Sequence, residues 1–188
     1  VTPEYHPDIP NWDRLLVSRW DSGRFIRIAH NGFSACPRQN TKMSPETLAY
    51  IGPRCDFLTF PGYAYVGRWL SLALNASLDW VLFGCSVAAT LALAFLWTSR
   101  AVAEAVGERV AWMSLLLLAT FPSSIYLVSI YSESLTMALL MGAFVAYRGR
   151  RWLLTGALIG AATAVRHIAL GAALGFGIAT LMDFVGSY

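Results

Sequence analysis

The chain has 188 residues, of which 56% are apolar and 13% charged, with a formal net charge of +3. Soluble domains of this size carry about a quarter charged residues, so the balance argues against an ordinary soluble domain. The basic residues are scattered and form no dense stripe, which argues against nucleic-acid binding.

Val1 to Pro10 is polar and lacks the short apolar core of a signal peptide. Asn11 to Trp20 places Trp12, Leu15, Leu16 and Trp20 near one helical face, and Asp21 to Asn31 repeats the pattern with Phe25, Ile28 and Ala29. Asp21 or Ser22 is placed to cap the second helix and Gly32 to end it. Two amphipathic helices beside apolar spans suggest elements lying in a membrane interface. Phe33 to Pro53 reads as a loop broken by Pro37, Asn40, Pro45, Gly52 and Pro53. The apolar stretch Ala64 to Leu78 fits an interfacial helix and a partial span equally well.

Trp80 to Trp97 is apolar and edged by tryptophans, as expected of a membrane span. Val110 to Ile130 reads as a second span interrupted at Phe121-Pro122, and Leu135 to Tyr147 as a third, short one. Trp152 to Val165 and Ile168 to Phe184 are split by Arg166-His167. As one helix they would measure about 50 Å, too long for a core of about 30 Å, so two short helices are predicted. Their glycines (Gly156, Gly160, Gly171, Gly175, Gly177) suggest close helix packing. The expected architecture is all-α and polytopic: residues 1–79 form one outward-facing region, and residues 80–188 form a bundle of about four to five transmembrane helices.

Counting spans puts Arg100, Arg109, Arg148, Arg150 and Arg151 on one side of the membrane. Short arginine-rich loops stay cytoplasmic, so residues 1–79 are expected outside. Exporting them calls for an earlier helix, and the sequence is expected to be a piece of a longer protein.

The same topology brings Asp21, Glu133, Arg166 and His167 to the outer face. Asp21 is either a helix cap or a general base toward a hydroxyl. Glu133, between apolar runs, is either a solvated helix start or a functional acid. A partly buried Arg166 needs an anionic partner, which is either Glu133 or a ligand phosphate. There is no HxxxH, DxD or CxxC pattern, and no metal or other cofactor is expected.

Ser18-Arg19-Trp20-Asp21-Ser22, with Phe25 to Phe33, resembles the Trp-Asp motif in the first lumenal loop of the PIG-V family. That family comprises the GPI mannosyltransferase 2 proteins and their bacterial relatives. The likeness continues through Phe60-Pro61-Gly62-Tyr63-Ala64-Tyr65, Arg68-Trp69-Leu70-Ser71, Phe121-Pro122-Ser123-Ser124 and Tyr131-Ser132-Glu133-Ser134-Leu135. It ends at Ala162-Thr163-Ala164-Val165-Arg166-His167, similar to the family's Ala-Thr-Arg-Ser turn. The motifs run in order from Leu15 to Gly171. This chain departs in three ways: family members are considerably longer, Ser34 to Asp56 is extended, and the second Pro after Phe60-Pro61-Gly62-Tyr63 is missing.

The resemblance implies a membrane glycosyltransferase of the GT-C fold. It would transfer a sugar, typically mannose, from a polyprenyl-phosphate donor to a glycolipid or glycan hydroxyl. Membrane lipids would surround it, in the plasma membrane of a bacterium or the endoplasmic reticulum of a eukaryote, with the active face outside or lumenal. Asp21 matches the catalytic aspartate. Arg166 and His167 are expected on the donor phosphate, with Trp20, Tyr131 and Glu133 as supporting polar positions. The rival reading is a non-enzymatic scaffold or transporter segment in which Glu133 and Arg166 form a structural pair.

Cys36 and Cys55 both lie in the segment expected outside, where disulfides persist, whereas Cys85 falls within the first firm span. The loop between them is rich in Pro, Asn, Ser and Thr, and closing it would contribute about 3 kcal/mol in the chain-entropy picture. Alkylation without prior reduction is expected to label neither loop cysteine, and labelling after reduction to add two adducts by mass. Two reactive loop thiols before reduction would refute the bond.

Overall fold

The computed structural model describes residues 22–31 and 60–186, and these segments are helical with no strand among them. The all-α expectation therefore holds for the described residues. The predicted helix Asn11 to Trp20 and loop Phe33 to Pro53 lie outside them.

Helix α1 (Ser22–Asn31) buries Phe25, Ile28 and Ala29, the i, i+3, i+4 face read from the sequence. Ser22 is its first helical residue and not its cap. Helix α2 (Gly62–Leu74) begins after Pro61 and stops at Asn75, whose left-handed backbone (φ 49°) returns its N–H to the Ser71 carbonyl. Asparagine tolerates that conformation better than most residues. Helix α3 (Leu78–Trp97) has 20 residues and is apolar on every side.

A short helix, α4 (Arg100–Val106), occupies part of the segment expected to be an arginine-bearing loop. The Ser99 carbonyl accepts from the Val102 and Ala103 N–H groups, Arg100 pairs with Glu104 at 2.7 Å, and Val102 is buried. Gly107, at φ 88°, turns the chain into α5 (Glu108–Thr120).

The segment predicted as a second span is interrupted at Phe121-Pro122, as the sequence suggests. Phe121 is extended (φ −67°, ψ 137°), as the residue before a proline prefers to be. A 3₁₀ turn, Pro122–Ser124, leads to the four-residue α6 (Ile125–Val128), and the axis bends by 77°. Helices α7 (Glu133–Arg148), α8 (Trp152–Val165) and α9 (Ala169–Gly186) complete the order. The split at Arg166-His167 falls where the sequence placed it.

Helix α7 is sandwiched between α3 and α8. Small residues make the contact: Ala138 meets Ala89 and Leu93 of α3, and a methyl at Gly142 would lie 3.4 Å from Leu158 of α8. The glycines expected to draw helices together behave differently. At Gly156, Gly160, Gly171, Gly175 and Gly177 an added Cβ would meet nothing within 4 Å. Helix α9 folds back along α8, and Tyr147 at the end of α7 donates to Asp183 at 2.6 Å while packing edge-on against Trp152 and Phe176. The start of α8 and the end of α9 therefore share one end of the bundle, with Arg166 and His167 at the other.

That second end holds the main core: Phe25, Ile28, Ala29, Tyr63, Ala64, Leu78, Leu82, Ile130 and Val165. By length and composition α3 alone among the described helices passes as a membrane span, or two spans if α5 and the bent segment after it count as one. Helices α8 and α9 are apolar but shorter.

Gly62 sits where α2 meets the end of α8, and a Cβ there would lie 2.5 Å from the Ala164 carbonyl oxygen. Backbone cannot move aside cheaply, so Gly62→Ala is expected to cost about 1–3 kcal/mol. Gly84, mid-helix in open space, is the contrast: Gly84→Ala is expected to gain about 1 kcal/mol of helix propensity. Thermal unfolding in detergent should lower the midpoint for the first variant and leave it unchanged or raised for the second.

Candidate functional site

Between α6 and α7 the backbone leaves helical geometry at residues 129–132. Ser129 is extended (φ −89°, ψ 174°), and Tyr131 N–H bonds the Ser129 carbonyl at 2.7 Å. Carbonyls near such a break lack intrahelical donors. Two hydroxyls of α3, one turn apart, supply them. Thr90 donates to the Leu127 carbonyl and Ser86 to the Tyr131 carbonyl at 3.2 Å. Tyr63 of α2 joins this network, with its hydroxyl 2.7 Å from both Ser86 Oγ and the Leu82 carbonyl. Two hydroxyl protons thus serve three contacts. Burial pushes the Tyr63 hydroxyl above the usual phenol range, so it stays a neutral donor.

This clamp fixes where α7 begins. Glu133 lies in its first turn, where the helix dipole favours a carboxylate. Arg166 occupies the break between α8 and α9, with an extended backbone (φ −154°, ψ 131°). Its guanidinium Nη1 pairs with Glu133 Oε1, and the two side chains are 37% and 30% exposed, so the pair sits on a rim and not in the core. Glu133 Oε2 is buried and has no hydrogen-bond partner among the described residues. His167 is exposed, its ring 5.7 Å from that of Phe60. A guanidinium and an imidazole on adjacent residues can hold an anion, and the carboxylate beside them can accept a proton or a cation.

Glu133 and Arg166 are brought together, and His167 follows Arg166 in sequence. Tyr131 is buried, its ring edge-on to Tyr126 at 5.1 Å, and it meets the clamp through its carbonyl. Asp21, Trp20, Cys36 and Cys55 lie outside the described residues. Helix α1, which starts directly after Asp21, is anchored at the same end of the bundle: Phe25 packs edge-on to Tyr63 at 5.2 Å, and Ile28 shares a cluster with Ile130 and Val165. Among the described residues no group of His, Cys, Asp and Glu is arranged to hold a metal ion.

Sequence reasoning passed over Tyr63, Ser86 and Thr90. The signal was present, because Ser86 and Thr90 are hydroxyls four residues apart in an otherwise apolar helix. Such side chains bond carbonyls of their own helix or reach across to another. Thr90 does both, bonding its own Ser86 carbonyl at 2.9 Å as well.

No protein-family profile matches the chain, and no curated protein or solved structure matches it either.

Replacing Ser86 by Ala leaves the Tyr131 carbonyl without its side-chain donor and is expected to cost about 1–3 kcal/mol. Because Tyr63 shares the network, Tyr63→Phe and Ser86→Ala should be non-additive by about 0.5 kcal/mol or more in a double-mutant cycle. Strict additivity in thermal or denaturant unfolding would show that the two hydroxyls do not act together.

Proposed function

We propose that this chain is a membrane glycosyltransferase of GT-C type, or a section of one. It moves a sugar, mannose by the motif resemblance, from a polyprenyl phosphate to an outward-facing hydroxyl. The observation that carries this reading is the Glu133–Arg166 pair at a double helix break, at the end of the bundle where α1 is anchored directly after Asp21. A cation for the departing phosphate and the start of the Trp-Asp helix thus share one end of the fold.

In this reading Asp21 takes the proton from the acceptor hydroxyl. The acceptor oxygen attacks the anomeric carbon from the face opposite the phosphate, and the configuration inverts. The anomeric carbon–oxygen bond breaks, and the polyprenyl phosphate leaves with the electron pair. Arg166 and His167 stabilise its charge, as preorganised cations do. Phosphate is a fair leaving group, so no strong general acid is needed. Trp20, Tyr131 and Glu133 frame the site.

A polytopic membrane setting is part of the proposal. Large apolar side chains stay exposed along α5 (Val110, Met113, Leu116, Leu117) and α9 (Leu170, Leu174, Ile178, Leu181, Phe184). Contiguous apolar surface of that kind marks contact with lipid or with further helices. Helices α7, α8 and α9 would measure about 24, 21 and 27 Å against a core of about 30 Å. These lengths suit short spans whose ends carry the polar residues. The rival reading, a non-enzymatic scaffold, draws on one observation: Arg166 already has a carboxylate partner.

Asp21→Asn decides between them. Asparagine is nearly isosteric and also caps helices well, so the change removes the base and keeps the cap. Sugar transfer from a polyprenyl-phosphate donor, assayed in membranes carrying the protein, is expected to fall by about 10²-fold or more, with membrane insertion unchanged. Near-normal transfer would exclude the base role, and absence of transfer by the unaltered protein would favour the scaffold.

A further inference from the structure

We infer that Glu133 is an exchangeable partner of Arg166: it holds the guanidinium while the site is empty and yields it to the phosphate of the donor. The inference rests on the lipid-phosphate reading above and adds a step to it. Three features of the pair carry it. The contact uses one carboxylate oxygen, Oε1, whereas a structural Arg–carboxylate pair gains most from the two-pronged geometry. Among the described residues the second oxygen, Oε2, is buried with no donor, so Arg166 is the carboxylate's one partner there. Both side chains are about one-third exposed, so the pair is open to a competing anion and is worth little against one.

A phosphate is the stronger competitor. The donor's diester presents two free oxygens and one charge, so it can engage the guanidinium through two parallel bonds, with the exposed His167 as a further donor, and the monoester left after transfer presents three oxygens and up to two charges. Arg166 and His167 lie in the turn between α8 and α9, outside either helix, so the guanidinium can change partner without breaking a helical ladder. No covalent bond is made or broken in the exchange. Glu133, once released, remains a negative charge beside the bound phosphate and disfavours its retention. After transfer it can recapture Arg166 as the polyprenyl phosphate departs.

The sign of this coupling is testable. A structural pair predicts that removing the Glu133 charge leaves Arg166 misplaced and weakens phosphate binding. An exchangeable pair predicts the opposite. The full chain, purified in phosphatidylcholine nanodiscs, is titrated with farnesyl phosphate, farnesol and inorganic phosphate, with binding read by calorimetry. Glu133→Gln is expected to bind farnesyl phosphate about fivefold more tightly than the unaltered protein, the upper range for releasing a partly exposed pair. Glu133→Asp, which keeps the charge, is expected to stay within about twofold, and Arg166→Gln to lose phosphate-dependent binding. Farnesol affinity should not respond to any of the three. If inorganic phosphate binds as tightly as farnesyl phosphate and shows the same response to Glu133→Gln, the exchange stands and its partner is free phosphate. If the unaltered protein binds farnesyl phosphate and Glu133→Gln binds it equally or more weakly, the exchange is overturned and the lipid-phosphate reading survives. If no variant binds any phosphate above the farnesol level, both fall together.

Discussion

Where α6 gives way to α7, backbone carbonyls point into an apolar interior without helical donors. Leaving such a group unpaired costs about 1–3 kcal/mol on mutational scales and more in lipid. The break survives because α3 offers two hydroxyls at the spacing of one helical turn, Thr90 toward Leu127 and Ser86 toward Tyr131. Tyr63 ties the Ser86 hydroxyl to α2, and Phe25 ties Tyr63 to α1. The start of α7, and with it the position of Glu133, thus depends on side chains of another helix. The rim site inherits its geometry from that clamp.

Much of this arrangement was legible in the sequence wherever local chemistry decides the outcome. The ends of α3, α7 and α8 follow the apolar runs to within a few residues. The turn at Arg166-His167 follows from the cost of placing a cation inside an apolar helix. The buried face of α1 follows from the spacing of Phe25, Ile28 and Ala29. What stayed hidden depends on partners distant in the chain. Pro122 signals an interruption but not a 77° bend. A stripe of glycines suggests close packing, yet those of α8 and α9 face open space, while Gly62, inconspicuous in sequence, is the one pressed against another helix's backbone. Ser86 and Thr90 look like tolerated hydroxyls until the carbonyls they serve are known. For the site itself, the sequence grouped Glu133 with Arg166 through topology, and the fold joins them; Asp21 and the residues before it lie outside the described part of the chain.

The outward faces bear on the setting. Helix α3 is apolar all round and is covered mainly toward α2, α6 and α7, while Leu91 and Phe95 remain exposed among the described residues. Helix α9 is held mainly by α8 and by the contacts of Tyr147 with Phe176 and Asp183, and it shows large apolar residues elsewhere along its length. Water disfavours such surfaces at about 25 cal/mol per Å². A bilayer, or further helices, would remove that penalty without changing any contact described above. This supports the membrane proposal and agrees with the placing of charged side chains at helix ends: Arg100, Arg109 and Arg148 to Arg151 at one end, Glu133 and Arg166 at the other.

Two kinds of constraint converge on Arg166, and they differ in what they fix. On one side, Gly62 lets α2 approach the Ala164 carbonyl so closely that the end of α8 is positioned by backbone contact. On the other, Val165 is buried in the core with Ile28 and Ile130. The main chain just before Arg166 is therefore well determined. The side chain beyond it is not comparably fixed, since it meets one oxygen of a partly exposed carboxylate whose other oxygen has no partner among the described residues. A well-held backbone carrying a loosely held cation suits a site that must present positive charge at one place and still let it change partners. A purely structural staple would gain from the reverse: both carboxylate oxygens engaged, and the pair shielded from solvent and fully hydrogen-bonded.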